Sequence, residues 1–151
     1  MFRLLSPTAL MISLAAALSM SVAEPLDMMR TLRLEVENIQ SESGTIWVGL
    51  YQSSGDFLDR DRAILKAVKV NRAGSIIVDI PDLTDGKEYA IALFHDLNDN
   101  GELDTNWIGL PREPWAFSGE PRTRLRLPRF EEVKFRFRSD QNEQKVKLRR
   151  W

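Results

Sequence analysis

The chain has no cysteine and a single histidine, His95. Without Cys the fold gains nothing from disulfides, and lipid attachment through a thiol is excluded. With one His and no Cys, a zinc site would rest on carboxylates, a poor match to zinc's preference for nitrogen and sulfur. Beyond residue 23 no uncharged apolar stretch is long enough to cross a bilayer. There is no internal repeat, no low-complexity linker and no break that suggests a second domain.

One apolar run exists, and it is at the start. After Met1-Phe2-Arg3 the chain carries no charge from Leu4 to Ala23, with Ala9 to Met20 as its apolar heart and Ser21-Val22-Ala23 at its end. An early Arg, about a dozen apolar residues and a small-x-small end describe a secretory signal. The expectation is a signal peptide over 1–23, cleaved after Ala23, and a periplasmic or secreted protein. The competing reading, an uncleaved anchor, suffers from Ser6, Pro7, Thr8, Ser13 and Ser19 in a barely sufficient span. Residues 24–151 then form a single domain large enough for a real core.

Charge is unevenly placed. Glu24 to Glu120 holds 9 Lys/Arg against 18 Asp/Glu, and Pro121 to Trp151 holds 11 against 4. A basic tail can read as nucleic-acid binding. These bases alternate with apolar residues, however, and suit the wet face of strands answered by the acidic half. No nucleic-acid partner is expected.

The dominant period is two. Leu32, Leu34 and Val36 alternate with charged neighbours, as a half-buried strand requires. Ile46, Val48 and Leu50 form the next row, and the two strands read as a meander hairpin. Ser53 to Val70 reads as a short helical turn near Asp56 to Asp61 followed by a strand over Lys66 to Val70. Ile76, Val78 and Ile80 form another row, ended by Pro81. Tyr89, Ile91 and Leu93, opposed by Ala90, Ala92 and Phe94, predict a central strand apolar on both faces. Arg122 to Leu127 suggests an edge strand, and Val133 to Arg138 and Lys145 to Arg149 two final strands. Seven to eight short strands with turns between them predict an all-β, antiparallel β-sandwich.

The central strand runs into His95-Asp96-Leu97-Asn98-Asp99-Asn100-Gly101-Glu102-Leu103-Asp104. Calcium loops of the helix-loop-helix kind coordinate from positions 1, 3, 5, 7, 9 and 12 and turn on a Gly at 6. Asp96, Asn98 and Asn100 take positions 1, 3 and 5, and Gly101 takes position 6. Glu102 supplies its carbonyl at 7 and Asp104 follows at 9. Position 12 is Trp107, which has no carboxylate, so Ca²⁺ binding should be weak, at ~10⁻⁴–10⁻³ M, unless Asp99 or Glu113 fills in. Alternatively, Asn, Asp and Gly are here simply as turn formers.

Gly101 to Pro121 is a long connection holding Trp107, Trp115 and Phe117. Exposed, these could stack on a glycan or grip a peptide; buried, they would staple the loop over the sandwich. A His95–Asp96 dyad would need a nucleophile nearby, for which Ser118 is a distant candidate, and adjacent strand residues point to opposite faces. No pair of carboxylates stands in a recognisable acid–base motif. No enzymatic activity is expected; a protein or glycan partner is.

Three blocks carry a family likeness: Gly44 to Tyr51 (GTIWVGLY), Tyr89 to Asn106 (YAIALFHDLNDNGELDTN) and Ile108 to Ser118 (IGLPREPWAFS). Over Thr31 to Leu148 the chain resembles domain-of-unknown-function family 2141, uncharacterised exported bacterial proteins. It departs at Pro114-Trp115-Ala116, where the family more often has a Gly-aromatic-Gly run. The resemblance implies an exported β-sandwich similar to transthyretin-like or collagen-adhesin B-type modules, and implies no activity.

Overall fold

A computed structural model describes residues 30–121 and 126–150. The signal segment and its cleavage point at Ala23 therefore lie outside the described residues, as do Arg122 to Leu125 of the expected edge strand. Arg126 and Leu127, which follow, are not in a strand.

Among the described residues, eight strands form two sheets. β1 (Leu32–Ile39) lies between β4 (Gly74–Ile80) and β8 (Glu143–Lys147). The other sheet runs β3 (Ile64–Lys69), β2 (Thr45–Tyr51), β5 (Glu88–Asp96) and β6 (Trp115–Phe117), with β7 (Phe135–Arg136) paired to the start of β5. Every pairing is antiparallel except β1 with β8, which is parallel. The period-two rows meet face to face. Leu32, Leu34, Val36, Ile76, Val78 and Ile80 of one sheet pack with Ile46, Val48, Leu50, Ile91 and Leu93 of the other in one continuous core. This is the expected all-β sandwich.

The five-stranded sheet is covered on its outer face too. Tyr51, Ala90, Phe130 and Val133 are buried there, with Phe57, Ala63, Ala92 and Phe117 against them. Burial on both faces explains why β2 and β5 are apolar on both. It also sets local detail. The Tyr51 ring lies across Gly49, where a Cβ would stand 3.0 Å from its hydroxyl.

Three expectations are corrected. β1 and β2 do not form a hairpin, because they belong to opposite sheets. Asn38 adopts a left-handed φ of 64° at a register shift between Glu37 and Ile39, and its side-chain amide donates to the Leu148 carbonyl at 2.7 Å. The chain then crosses to the other sheet through Gly44, at φ 95°. Between Tyr51 and β3 the expected helical turn is a 3₁₀ turn, Arg60–Arg62, capped by the Asp59 carboxylate, and β3 starts at Ile64. Val133 belongs to a helical turn, α1 (Phe130–Val133), rather than to the strand that follows. Phe130 and Val133, three apart, share its buried face, and Glu132 closes it by accepting from the Arg129 amide at 2.8 Å and from the two terminal Arg126 guanidinium nitrogens.

The acidic body answers the basic C-terminal segment across these contacts. Lys145 of β8 meets Glu35 of β1 at 2.6 Å, opposite it in register. Lys134 and Arg136 both reach Glu88.

Candidate functional site

β5 positions the Asp96–Asp104 loop. Its pairing with β2 runs to the last rung, where Asp96 faces Thr45. Strand alternation points His95 into the sandwich and Asp96 to the outer face. Both are fully buried.

Asp96 organises the turn. Its Oδ2 accepts from the Gly101 amide at 2.7 Å and from the Trp47 indole at 3.2 Å, and its Oδ1 accepts from the Asn100 amide at 3.2 Å. Two of these donors are backbone groups of the loop, so the carboxylate folds the chain back on itself. Gly101 at φ 80° makes the sharp bend assigned to it by spacing, and Asp99 is also left-handed at φ 59°. Asn98 and Asn100 each accept a backbone N–H two residues on, from Asn100 at 3.2 Å and Glu102 at 2.9 Å.

The loop's remaining polar groups gather on Asp104. Asn98 Nδ2 donates to Asp104 Oδ2 at 2.8 Å, and Asn100 Nδ2 donates to Oδ1 at 3.2 Å. Side chains from positions 3, 5 and 9 of the spacing thus converge. Position 7, Glu102, contributes its N–H to Asn100 and leaves its exposed carboxylate outside this network. Among the described residues no group of three or more His, Asp or Glu is assembled as a metal site; the convergent set here mixes one carboxylate with two amides.

Neither substitute for the missing ligand at Trp107 is directed at the loop's interior. Asp99 Oδ1 accepts from Thr45 at 2.6 Å and from Lys69 at 2.8 Å, and this bonding, Lys69 first, holds its carboxyl below the usual range. Glu113, only 3% exposed, clamps the backbone. Its Oε1 takes the Leu97 amide at 2.7 Å and its Oε2 the Asp104 amide at 3.1 Å. Glu113 therefore ties the segment that leads into β6 to both ends of the loop. Arg60 lies over the Trp47 ring at 4.8 Å and donates to the Gly101 carbonyl, bracing the loop from its other side.

His95 is a clasp. Its Nε2 lies 2.8 Å from the Ser43 carbonyl, to which it donates. It holds the β1–β2 crossover against the end of β5. Ser118 Oγ, the distant candidate nucleophile, donates to the Val133 carbonyl at 2.5 Å and accepts from the Ile91 amide at 2.9 Å. These two side chains do not meet.

The three loop aromatics are separated. Trp115 and Phe117 pack together on β6, ring centres 5.4 Å apart, and Phe117 also meets Phe57. Trp107 stands alone at 95% exposure, beside Ile108 at 56%. Its turn is built by Asn106. The Asn106 carbonyl accepts from Gly109 at 2.9 Å, and its side-chain oxygen accepts from Ile108 at 3.1 Å and Leu110 at 2.9 Å.

A profile of a family described as uncharacterized proteins conserved in bacteria, domain-of-unknown-function family 2141, matches residues 34–146. The chain belongs to that family. The match spans both sheets, the Asp96–Asp104 loop and the Trp107 turn, so the whole site lies inside the family domain. Neither a search of curated proteins nor one of solved structures found a match. Among the described residues no helix is long and apolar enough to cross a membrane.

Two residues of the site escape sequence reasoning. Glu113 reads from the sequence only as a candidate ligand, and nothing local marks it as a backbone clamp, because its partners lie 9 and 16 residues away. Trp47 is half-buried on β2, far from the loop in sequence, and only strand pairing brings its indole to Asp96.

Proposed function

We propose that this protein is an exported, non-enzymatic binding or structural module in which a weak Ca²⁺ site orders the Asp96–Asp104 loop. One observation carries the reading: Asn98, Asn100 and Asp104 converge, while the fully buried carboxylate of Asp96 closes the turn on Gly101. Rotating either side-chain amide by half a turn presents its oxygen in place of N–H, in exchange for the backbone N–H of Asn100 or Glu102 that the oxygen accepts without the cation. Asn98, Asn100 and Asp104 then supply hard oxygen donors of the kind calcium takes, with the Glu102 carbonyl completing the set. With no bidentate carboxylate at position 12, affinity lies in the range of extracellular modules, ~10⁻⁴–10⁻³ M. That range suits a protein outside the cytoplasm. The burial of His95 and the backbone commitments of Ser118 support the non-enzymatic part.

A cation that binds only the folded chain raises stability by mass action. At about 10 mM calcium and the affinity above, the gain is about 1.5–3 kcal/mol, several degrees in melting temperature for a domain of this size. Asp104→Ala removes the increment without touching the buried Asp96. An identical melting curve in calcium and in chelator contradicts the reading.

A further inference from the structure

The edges of the two sheets are not alike. β6 and β8 join at the Trp115–Arg149 rung, where N–H···O bonds of 2.9 Å run both ways. β3 and β4 are open among the described residues. β3 carries Lys66 and Lys69, the kind of charge that keeps an edge from pairing. β4 has no Lys, Arg or Pro across Gly74–Ile80, and its register on β1 is unbroken from Ile80 back to Ser75. It pairs with β1 alone, so one row of its backbone N–H and C=O groups faces away from the sheet. Ile76, Val78 and Ile80 are in the core, while Ile77 lies on the outer face, 48% exposed.

A second copy of β4 suits this edge in one register. Residues directly opposite in an antiparallel pair point to the same face. Both cores therefore stay on one side of the joined sheet only if inward residues meet inward ones, and a two-fold axis has to pass through a residue rather than between two. Placed at Ile77, the midpoint of Gly74–Ile80, the axis pairs the strand over its whole length. Ile77 then meets itself, Ile76 meets Val78, and Asp79 meets Ser75. The ends match in charge as well. Arg72 and Asp82 stand five residues to either side of Ile77, so Arg72 of each copy comes to the end where the other has Asp82. Both are exposed, and neither has an ion pair among the described residues. An axis at Ile76 or Val78 forfeits this match. It sets Ile77 against Ser75 or Asp79, and brings Arg72 to Ile80 or Asp82 to Gly74.

We propose that β4 is a dimerisation edge, paired antiparallel with β4 of a second copy about Ile77. The two three-stranded sheets become one of six strands. The contact is isologous, so association stops at two. Backbone bonds supply the affinity, and the Ile77 pair with the two Arg72–Asp82 pairs fixes the register. One strand edge is a small interface, so Kd is ~10⁻⁵–10⁻⁴ M. The pairing does not depend on a cation in the Asp96–Asp104 loop.

Sedimentation of the purified protein over a concentration series should show a monomer–dimer equilibrium with no larger species. Ile77→Lys sets like charges on the axis and weakens dimerisation at least about tenfold. Arg72→Glu weakens it too. Asp82→Asn, which tolerates the left-handed φ of 65° there, weakens the native dimer but strengthens that of Arg72→Glu, where it removes a repulsion. Only contact between the two residues reverses the sign in this way. The chain has no cysteine, so oxidation of single-cysteine variants reads the register directly. Ile77→Cys cross-links to itself, and Ser75→Cys mixed with Asp79→Cys cross-links across the pair. Ser75→Cys alone does not, because its own copy lies four residues along the ribbon, beyond disulfide reach. A monomer up to about 1 mM, well above that Kd, overturns the proposal. So does a dimer that Ile77→Lys leaves intact, or Ser75→Cys that cross-links alone as readily as Ile77→Cys.

Discussion

The buried carboxylate of Asp96 accepts the Gly101 amide at 2.7 Å, closing a turn at the end of the central strand. Everything the loop presents to solvent depends on that closure. Removing the carboxylate leaves two part-buried donors, the Gly101 amide and the Trp47 indole, without a partner, and leaves the Asn100 amide to Asn98 alone. Asp96→Ala is expected to lower unfolding free energy by about 2–4 kcal/mol in urea denaturation. A loss below about 1 kcal/mol would show that the loop closes without it.

Gly101 is required for conformation rather than for space. At φ 80° a side chain is strained, but an added Cβ would stand 3.9 Å from Trp47, in ordinary contact. Gly101→Ala should therefore cost only about 1 kcal/mol. Gly44 differs, although its φ of 95° is also left-handed. A Cβ there would run into the carbonyl oxygen of Asp96 and stand 3.1 Å from His95 Nε2. Gly44→Ala is expected to cost several times more than Gly101→Ala, and equal midpoints for the two variants would contradict the packing described.

How much of this was legible in advance follows from what local pattern encodes. Alternation reports which side chains share a face, so the rows at Leu32 to Val36, Ile46 to Leu50 and Ile76 to Ile80 were readable. It does not report which strand lies alongside, so β1 and β2 read as neighbours although they face each other across the core. The segment at Val133 satisfied two periods at once. Val133, Phe135 and Phe137 alternate as a strand, while Phe130 and Val133 repeat as a helix, and Glu132 bound to Arg126 and the Arg129 amide decides for the helix. The loop ligand spacing was visible because its residues are close in sequence. The bracing of the loop by Glu113, Trp47 and Arg60 was not, because it depends on contacts between distant segments.

Glu113 offers a test of that bracing. Glu113→Gln keeps size but loses one acceptor of the two that hold the Leu97 and Asp104 amides. A cost of about 1–3 kcal/mol is expected. Hydrogen exchange at Leu97 and Asp104 should accelerate more than at Ile91, inside β5. Uniform acceleration along β5 and the loop would mean that Glu113 supports the whole fold rather than this loop.

Acid should loosen the α1 corner. The Arg126 guanidinium, and then the Arg129 amide, lower the Glu132 pKa from 4.5 to about 2. A depressed carboxylate contributes stability that is complete above its unfolded value, and is lost as pH falls from about 4.5 toward about 2. Glu88, bonded to Lys134, and Glu35, bonded to Lys145, shift in the same direction. Denaturation midpoints should therefore fall as pH drops from about 4.5 toward about 2, and less steeply in Glu132→Gln. An unchanged slope in that variant would remove Glu132 from the account.

The most direct measurement is a calcium titration followed at each backbone amide by nuclear magnetic resonance. A cation site at Asp96–Asp104 predicts saturable shifts confined to Leu97 through Asp104, with half-saturation at ~10⁻⁴–10⁻³ M and largely abolished in Asp104→Ala. Amides of the loop that stay unmoved to about 10 mM calcium, or that drift with the rest of the surface, would contradict it.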